Sequence, residues 1–208
     1  MIYPPLPTTD RWGTPEHRRE IMFPGAVAYC RYTLMTELAQ RLEQVRARIA
    51  RAADRAHRDP SEITLLAVTK IFPASAIHEA YGLGLREFGE NYVQEFEGKA
   101  PEVSGLEGAR FHRIGHLQSN KAAKAAELFQ TIQTVDSAKL ARRLDATGKP
   151  LDIMLEVKLS EEDAKSGADP AELPALADAV RACPHLRLVG LMTMPPWSED
   201  PEALTEPF

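Results

Sequence analysis

A lysine at the end of a predicted strand is the residue of this sequence best placed to do chemistry. The apolar, partly β-branched run Leu65–Thr69 leads directly into Lys70, and Pro73 interrupts the chain soon afterwards. Such a run is typical of a strand covered on both faces in a parallel sheet. A lysine amine at a strand end can capture a carbonyl group as an imine. The alternative is a solvated lysine whose stem lies on apolar surface.

Two further candidate residues lie at the ends of other predicted strands. Asn91 follows the strand that ends at Gly89, and it suits either a helix N-cap or a ligand contact. Met192 lies near the end of the last predicted strand, where its side chain is interpreted first as part of the core.

Two histidines lie in and just after the third predicted strand. Alternation along the strand places His112 on the same face as Ile114. A single histidine in a strand is more often a core residue than a catalyst. His112 and His116 are four residues apart, but the segment is predicted as strand and loop rather than helix. Their spacing therefore does not predict a zinc site.

Composition and missing motifs exclude several classes of protein. The 208 residues are 44% hydrophobic and 26% charged, which is typical of a globular chain. The net charge of −5, with no dense basic stripe, argues against a nucleic-acid partner. No apolar run approaches a membrane span. Glycine-rich dinucleotide, P-loop and H-E-x-x-H motifs are absent, as is the G-x-S-x-G elbow.

The cysteines and the first residues bear on location and domain organisation. Cys30 and Cys183 show neither metal-ligand nor disulfide spacing, which favours a reducing, cytoplasmic environment. Residues 1–34 are rich in proline and aromatic residues and follow no helical or strand period. We interpret them as an atypical N-terminal extension with little order, not as a signal peptide. Residues 35–208 form the predicted domain.

The domain alternates strands and helices. Thr36 is a predicted N-cap for a helix running to about His57. Six strands are then predicted, at Thr64–Thr69, Arg86–Gly89, Arg110–Gly115, Thr131–Val135, Leu151–Val157 and Leu188–Met194. The helices between them are predicted at Ser75–Tyr81, Tyr92–Lys99, Ser119–Leu128, Ser137–Thr147 and Pro170–Ala182. This alternation predicts an α/β fold of parallel βαβ units.

Five motifs occur in a fixed order along residues 35–200. They are AVTK at Ala67–Lys70, FGENYVQE at Phe88–Glu95, FHRIGHLQSNK at Phe111–Lys121, KSG at Lys165–Gly167 and GLMTM at Gly190–Met194. Together they closely resemble the pyridoxal phosphate homeostasis proteins. The occurrence of both FGENYVQE and HxIGxLQxNK in one chain is highly specific for that family.

The resemblance implies a fold, a cofactor and a role. The fold would be an alanine-racemase-like TIM (β/α) barrel, incomplete here, with about six of its eight strands. The cofactor would be pyridoxal 5′-phosphate (PLP), held as an internal aldimine on Lys70. Asn91, His112 and Met192 would also bind the cofactor, with His112 lining the barrel mouth. No metal ligands are implied.

The role implied is that of a cofactor carrier or regulator in PLP homeostasis, without established turnover and with PLP-dependent enzymes as potential clients. The enzyme alternative is an amino-acid racemase of the same barrel type. That family takes an opposing tyrosine from a second, β-rich domain, which this sequence lacks. A third alternative is a remnant that no longer binds the cofactor.

The resemblance also predicts a shortfall at the C-terminus. Family members continue with a helix and two strands, whose S-M-G-M-S and V-R-I-G-T segments hold the cofactor phosphate. The present sequence ends at Phe208, before those segments. Barrel phosphate sites commonly use the loops after strands seven and eight. We therefore expect a truncated chain that binds PLP more weakly than a complete relative.

Overall fold

The computed structural model describes residues 36–159 and 166–194 of the chain. The predicted extension, Cys30 and Lys165 of the KSG motif lie outside the described residues. The first element is helix α1 (Glu37–Arg55). Its N-cap is Thr36, as predicted, and the Thr36 hydroxyl accepts a hydrogen bond from the backbone N–H of Ala39 at 3.2 Å.

The six predicted strands form one parallel sheet in chain order. They are β1 (Leu66–Val68), β2 (Glu87–Glu90), β3 (Arg110–Arg113), β4 (Thr131–Val135), β5 (Leu151–Val157) and β6 (Leu186–Thr193). Each strand is hydrogen-bonded to the next. Within the described part of the chain, β1 and β6 are therefore the two edges, and the sheet is not closed.

A helix follows each of the first five strands and covers the sheet. These helices are α2 (Ala74–Gly82), α3 (Val93–Val103), α4 (Ala122–Leu128), α5 (Ala138–Asp145) and α6 (Leu173–Arg181). Short 3₁₀ turns lie at Pro60–Glu62, Ser119–Lys121 and Pro170–Glu172. Helix α3 runs past its predicted end at Lys99. Pro101 removes one backbone hydrogen bond of the last turn, yet the helix continues to Val103, which is buried in the core.

The face of the sheet toward the helices carries an aromatic core. The rings of Phe88 and Phe111, which are register partners on β2 and β3, stack with centroids 5.5 Å apart. Phe96 of α3 lies 4.6 Å from Phe111 and 5.0 Å from Phe129, measured between ring centroids. Aromatic pairs at these separations contribute beyond their buried area. Phe111 and His112 thus occupy opposite faces of β3, as alternation predicted.

The other face, toward the barrel interior, carries charged residues near the amino ends of the strands. Arg110 Nη2 and Arg187 Nη2 each donate to Asp152 Oδ2 at 2.7 Å, and Arg187 Nε donates to Asp152 Oδ1 at 2.7 Å. Glu87 lies beside Arg110, with 3.8 Å between Glu87 Oε2 and Arg110 Nε. This network links β2, β3, β5 and β6 and leaves the carboxyl ends of the strands for other contacts.

None of the helices in the described part of the chain is long and apolar enough to cross a membrane.

Candidate functional site

A cavity of about 610 Å³ lies at the carboxyl ends of the strands. Lys70 follows β1 and Asn91 follows β2, while Met192 lies on β6, and all three line this cavity. Its apolar wall includes Leu66, Val68, Ile114 and Met194, and its polar wall includes His116, Gln133, Glu156 and Ser166. A volume of this size is within the range of small-molecule and cofactor sites.

Lys70 belongs to a strained turn. Ile71, the next residue, has a φ of 63°, a left-handed conformation that costs a β-branched residue about 1–2 kcal/mol. The backbone N–H of Ile71 donates to Glu95 Oε1 of α3 at 2.6 Å, and that of Phe72 donates to the Thr69 carbonyl at 3.1 Å. These two hydrogen bonds hold the chain in the turn that carries Lys70.

A buried cluster of charged side chains also stabilises the turn that carries Lys70. Lys99 Nζ donates to the Thr69 carbonyl at 3.0 Å, to Glu90 Oε1 at 3.0 Å and to Glu95 Oε1 at 2.6 Å. Glu90 is fully buried and also accepts a hydrogen bond from the Thr69 hydroxyl at 2.7 Å. The Lys99 ammonium holds the pKa of Glu95 below its usual value.

This cluster distinguishes two neighbouring lysines. Lys99 is buried and its ammonium is occupied by two carboxylates and a carbonyl, so it anchors the turn. Lys70 is half-buried and lines the cavity. Sequence reasoning missed the supporting role of Glu90 and Lys99. The available signal was Glu90 within FGENYVQE, with a lysine nine residues further along the chain.

Asn91 lies in the cavity wall and does not cap α3. The N-cap of α3 is Tyr92, whose side chain makes no capping hydrogen bond. The interpretation of Asn91 as an N-cap was therefore wrong, because α3 begins one residue later than that role requires. The backbone of Asn91 also lies against Gly115: a Cβ atom placed on Gly115 would lie 2.9 Å from the Asn91 carbonyl oxygen.

His112 is not among the residues of the cavity wall. Its ring is buried, with Nε2 hydrogen-bonded to Glu87 and Nδ1 hydrogen-bonded to Gln133 Nε2 at 2.9 Å. Ile114, two residues further along the same face, lines the cavity instead, and a role for His112 at the barrel mouth stays a prediction. His112 reaches the cavity only through Gln133.

Further polar groups lie at the ends of β3 and β5, where Glu156 and Ser166 line the cavity and Arg113 does not. Arg113 is buried, and its Nη2 donates to the His116 carbonyl at 2.6 Å. Burial lowers the pKa of Arg113 to about 10. Burial raises the pKa of Glu156, whose Oε1 accepts a hydrogen bond from Ser166 at 3.0 Å. Sequence reasoning did not select Glu156, since a glutamate within a strand carries no distinctive signal.

Comparison with known proteins identifies the family. The family model described as "Alanine racemase, N-terminal domain" matches residues 40–207. The pyridoxal phosphate homeostasis protein of Pseudomonas aeruginosa PAO1 is 48% identical over 165 residues, covering 77% of this chain and 71% of that protein. The chain belongs to the pyridoxal phosphate homeostasis protein family. The pyridoxal phosphate homeostasis protein of Escherichia coli K12 is also 48% identical to this chain, over 167 residues that cover 77% of this chain and 71% of that protein.

A solved structure that is 40% identical in sequence agrees with the fold described above. PipY of Synechococcus elongatus PCC7942, in a structure with PLP bound, superposes with a TM-score of 0.63 at 40% sequence identity. The match covers 78% of this chain and 72% of PipY. The predicted α/β, alanine-racemase-like barrel is confirmed, with six parallel strands in an unclosed sheet.

Proposed function

We propose that this chain binds PLP covalently through the Lys70 amine and takes part in intracellular homeostasis of the cofactor. The observation that carries the proposal is the position of Lys70, two residues after the end of β1 and in the wall of the cavity. The names of the relatives and the PLP-bound PipY structure support the choice of cofactor. The residues implied by sequence remain part of the proposal: Lys70, Asn91 and Met192 directly, and His112 through Gln133.

The residues of the cavity fit the pyridine ring and the aldehyde of the cofactor. The pyridine ring needs an apolar surface, which Leu66, Ile114 and Met192 offer. Its aldehyde needs an amine, which Lys70 offers, and its ring substituents suit a hydrogen-bonding side chain such as that of Asn91. When bound, PLP supplies an electron sink, while the protein supplies binding, orientation and electrostatics.

The chain's own residues have separate tasks in this scheme. The turn at Ile71, held by Glu95, orients the Lys70 stem toward the cavity. Lys99 hydrogen-bonds the carbonyl of Thr69 and so fixes the backbone next to Lys70. The Lys70 amine must lose its proton to react with an aldehyde, and solvent in the open cavity is available to accept it.

A covalent trapping experiment tests this assignment. Among the described residues two lysines, Lys70 and Lys158, line the cavity, so the full chain should be incubated with PLP, reduced with borohydride and mapped by peptide mass spectrometry. We expect a single adduct on Lys70, lost in Lys70→Ala and retained in Lys139→Ala, which changes an exposed lysine. An adduct on Lys158 in the parent chain would contradict the assignment.

We further propose that the chain is a carrier acting in the cytoplasm and not an enzyme with turnover. Transfer can be tested by mixing the PLP-loaded chain with a cofactor-free PLP-dependent enzyme and following the recovery of that enzyme's activity. Recovery should be faster than with the loaded chain sealed behind a dialysis membrane. Incubation with a single-enantiomer amino acid should give no repeated turnover; racemisation that Lys70→Ala abolishes would favour the racemase alternative instead.

A further inference from the structure

Three potential metal ligands meet at the carboxyl ends of β3, β4 and β5, and two of them, His116 and Glu156, line the cavity. His116 follows β3, Asp136 follows β4 and Glu156 lies near the end of β5. One donor atom from each lies within 4.8 Å of the others. His116 Nδ1 and Asp136 Oδ2 are 3.6 Å apart. The parallel sheet thus brings together three side chains that are 20 residues apart along the chain.

The carboxylate of Glu156 gives an independent indication of a missing ligand. Glu156 is only 8% exposed. Its Oε1 accepts the hydrogen bond from Ser166, whereas its Oε2 is buried with no hydrogen-bond partner in the described part of the chain. An unsatisfied buried carboxylate oxygen is costly, and a bound cation would satisfy it.

The donor set indicates the class of ion. One imidazole nitrogen with two carboxylate oxygens suits a first-row transition metal such as Zn²⁺ better than Mg²⁺ or Ca²⁺, which prefer oxygen ligands alone. Zinc bonds of about 2.0–2.2 Å place tetrahedral donors roughly 3.3–3.6 Å apart. The His116–Asp136 separation already meets this requirement, and the half-exposed His116 side chain can close the remaining gap toward Glu156.

The surroundings support such a site. The Arg113 guanidinium donates to the His116 carbonyl and fixes the loop that carries the imidazole. His116 and Glu156 line the cavity, so a fourth coordination position would open toward its interior, as in metal sites that keep one position free for a small ligand.

We propose that His116, Asp136 and Glu156 bind a divalent transition-metal ion of the Zn²⁺ class in the cavity wall. This site is distinct from the proposed covalent attachment at Lys70 and does not depend on it. A matched control exists elsewhere in the chain. His185 Nδ1 lies 3.1 Å from Asp145 Oδ1. Within the described residues, no third histidine, cysteine or carboxylate lies close enough to this pair to complete a metal site.

The test is a titration of the full chain with Co²⁺, without PLP, followed by visible absorption and equilibrium dialysis. We expect one ion per chain. Each of the three ligand variants, His116→Ala, Asp136→Asn and Glu156→Gln, should weaken Co²⁺ binding by about tenfold or more. Removing even a residue that only hydrogen-bonds a metal ligand lowers metal affinity by about 10- to 100-fold. His185→Ala should bind as the parent does.

The outcomes that overturn the site are equally specific. They are the absence of bound Co²⁺, or affinity unchanged in all three ligand variants. A thiolate-to-metal charge-transfer band would assign the ion to a cysteine and also refute the proposal. His116→Ala alters a half-exposed side chain, and its thermal unfolding should match the parent in the absence of metal, which separates lost binding from lost folding.

Discussion

Lys99 Nζ donates a hydrogen bond to the carbonyl oxygen of Thr69 at 3.0 Å, and this bond ties helix α3 to the residue before Lys70. The same ammonium pairs with Glu90 and Glu95, and Glu95 in turn receives the N–H of Ile71. The strained turn that presents Lys70 is therefore fixed by side chains of the β2–α3 unit. Four predictions test this arrangement and the contacts around it.

Lys99→Met should destabilise the protein by about 3–5 kcal/mol, because it leaves the fully buried Glu90 carboxylate without its cation. It should also weaken PLP uptake, since the Thr69 backbone loses its anchor. Urea unfolding and PLP titration measure the two effects. Lys124→Met is the control: Lys124 also pairs with two glutamates, Glu97 and Glu127, but on the exposed surface of α4. Equal losses in the two variants would refute the role of burial.

The stability of the fold should depend on pH through Glu95. The Lys99 ammonium lowers the pKa of this carboxyl below its ordinary 4.5. A group with a lowered pKa in the folded state stabilises the fold above its unfolded pKa, and that contribution is lost as the pH falls through the folded pKa. Glu95→Gln should therefore be less stable than the parent at about pH 6, with the gap narrowing below pH 4.5.

Urea unfolding across this pH range provides the measurement for Glu95. Its control is the same substitution in a Lys99→Met background, where the pH-dependent part of the gap should shrink because the main cause of the shift is gone. A gap that stays constant with pH in the parent background would show that Glu95 acts only through neutral hydrogen bonding.

Gly115→Ala should disturb the cavity wall. The added Cβ would lie 2.5 Å from Arg113 Nη1 and 2.9 Å from the Asn91 carbonyl oxygen, so the Asn91 backbone must shift. We expect a loss of about 1–3 kcal/mol in the free energy of unfolding, as for other overpacked sites, together with weaker PLP binding. Gly190→Ala is the control, since nothing lies within 4 Å of its added Cβ. Unimpaired binding by Gly115→Ala would contradict the tight Asn91–Gly115 contact.

Asp152→Asn should weaken the link between β3, β5 and β6 without touching the cavity. Asp152 accepts hydrogen bonds from Arg110 and, at both oxygens, from Arg187. Partial loss of these hydrogen bonds should lower the free energy of unfolding by about 1–2 kcal/mol, which thermal unfolding measures. The affinity for PLP should be unchanged. Asp178→Asn alters an exposed pair with Arg181 and should have a smaller effect. A loss of PLP affinity in Asp152→Asn would show that the two ends of the sheet are coupled.

The sheet could be predicted from sequence because its strands combine a clear apolar pattern with clear breaks. Strands β4 and β5 have their predicted bounds, since Gln130 and Pro150 precede apolar, β-branched runs. The end of α3 was predicted too early, at Lys99: Pro101 usually breaks a helix, but here it lies in the last turn, and the helix continues to the buried Val103. Local pattern identifies an element better than it identifies that element's end.

The site was predictable only in part, for a geometric reason. Lys70, Asn91 and Met192 were selected because each lies at or near a strand end, and strand ends of a parallel sheet share one edge; all three line the cavity, and their binding roles stay predictions. His112 lies deeper than the cavity wall, since alternation gives the face of a strand and not the depth along it. The pairing of Lys99 with Glu90 depends on the angle between α3 and β2, which no local pattern encodes.

The order of the strands also bears on how the chain reaches this state. Because β1 to β6 pair strictly with their neighbours in sequence, no strand must wait for a distant partner, and each new βαβ unit closes a short loop onto the one before it. Synthesis on the ribosome delivers the units in this same order. Helix α3, which supplies the Glu95 and Lys99 contacts to the turn that carries Lys70, is therefore synthesised before β6.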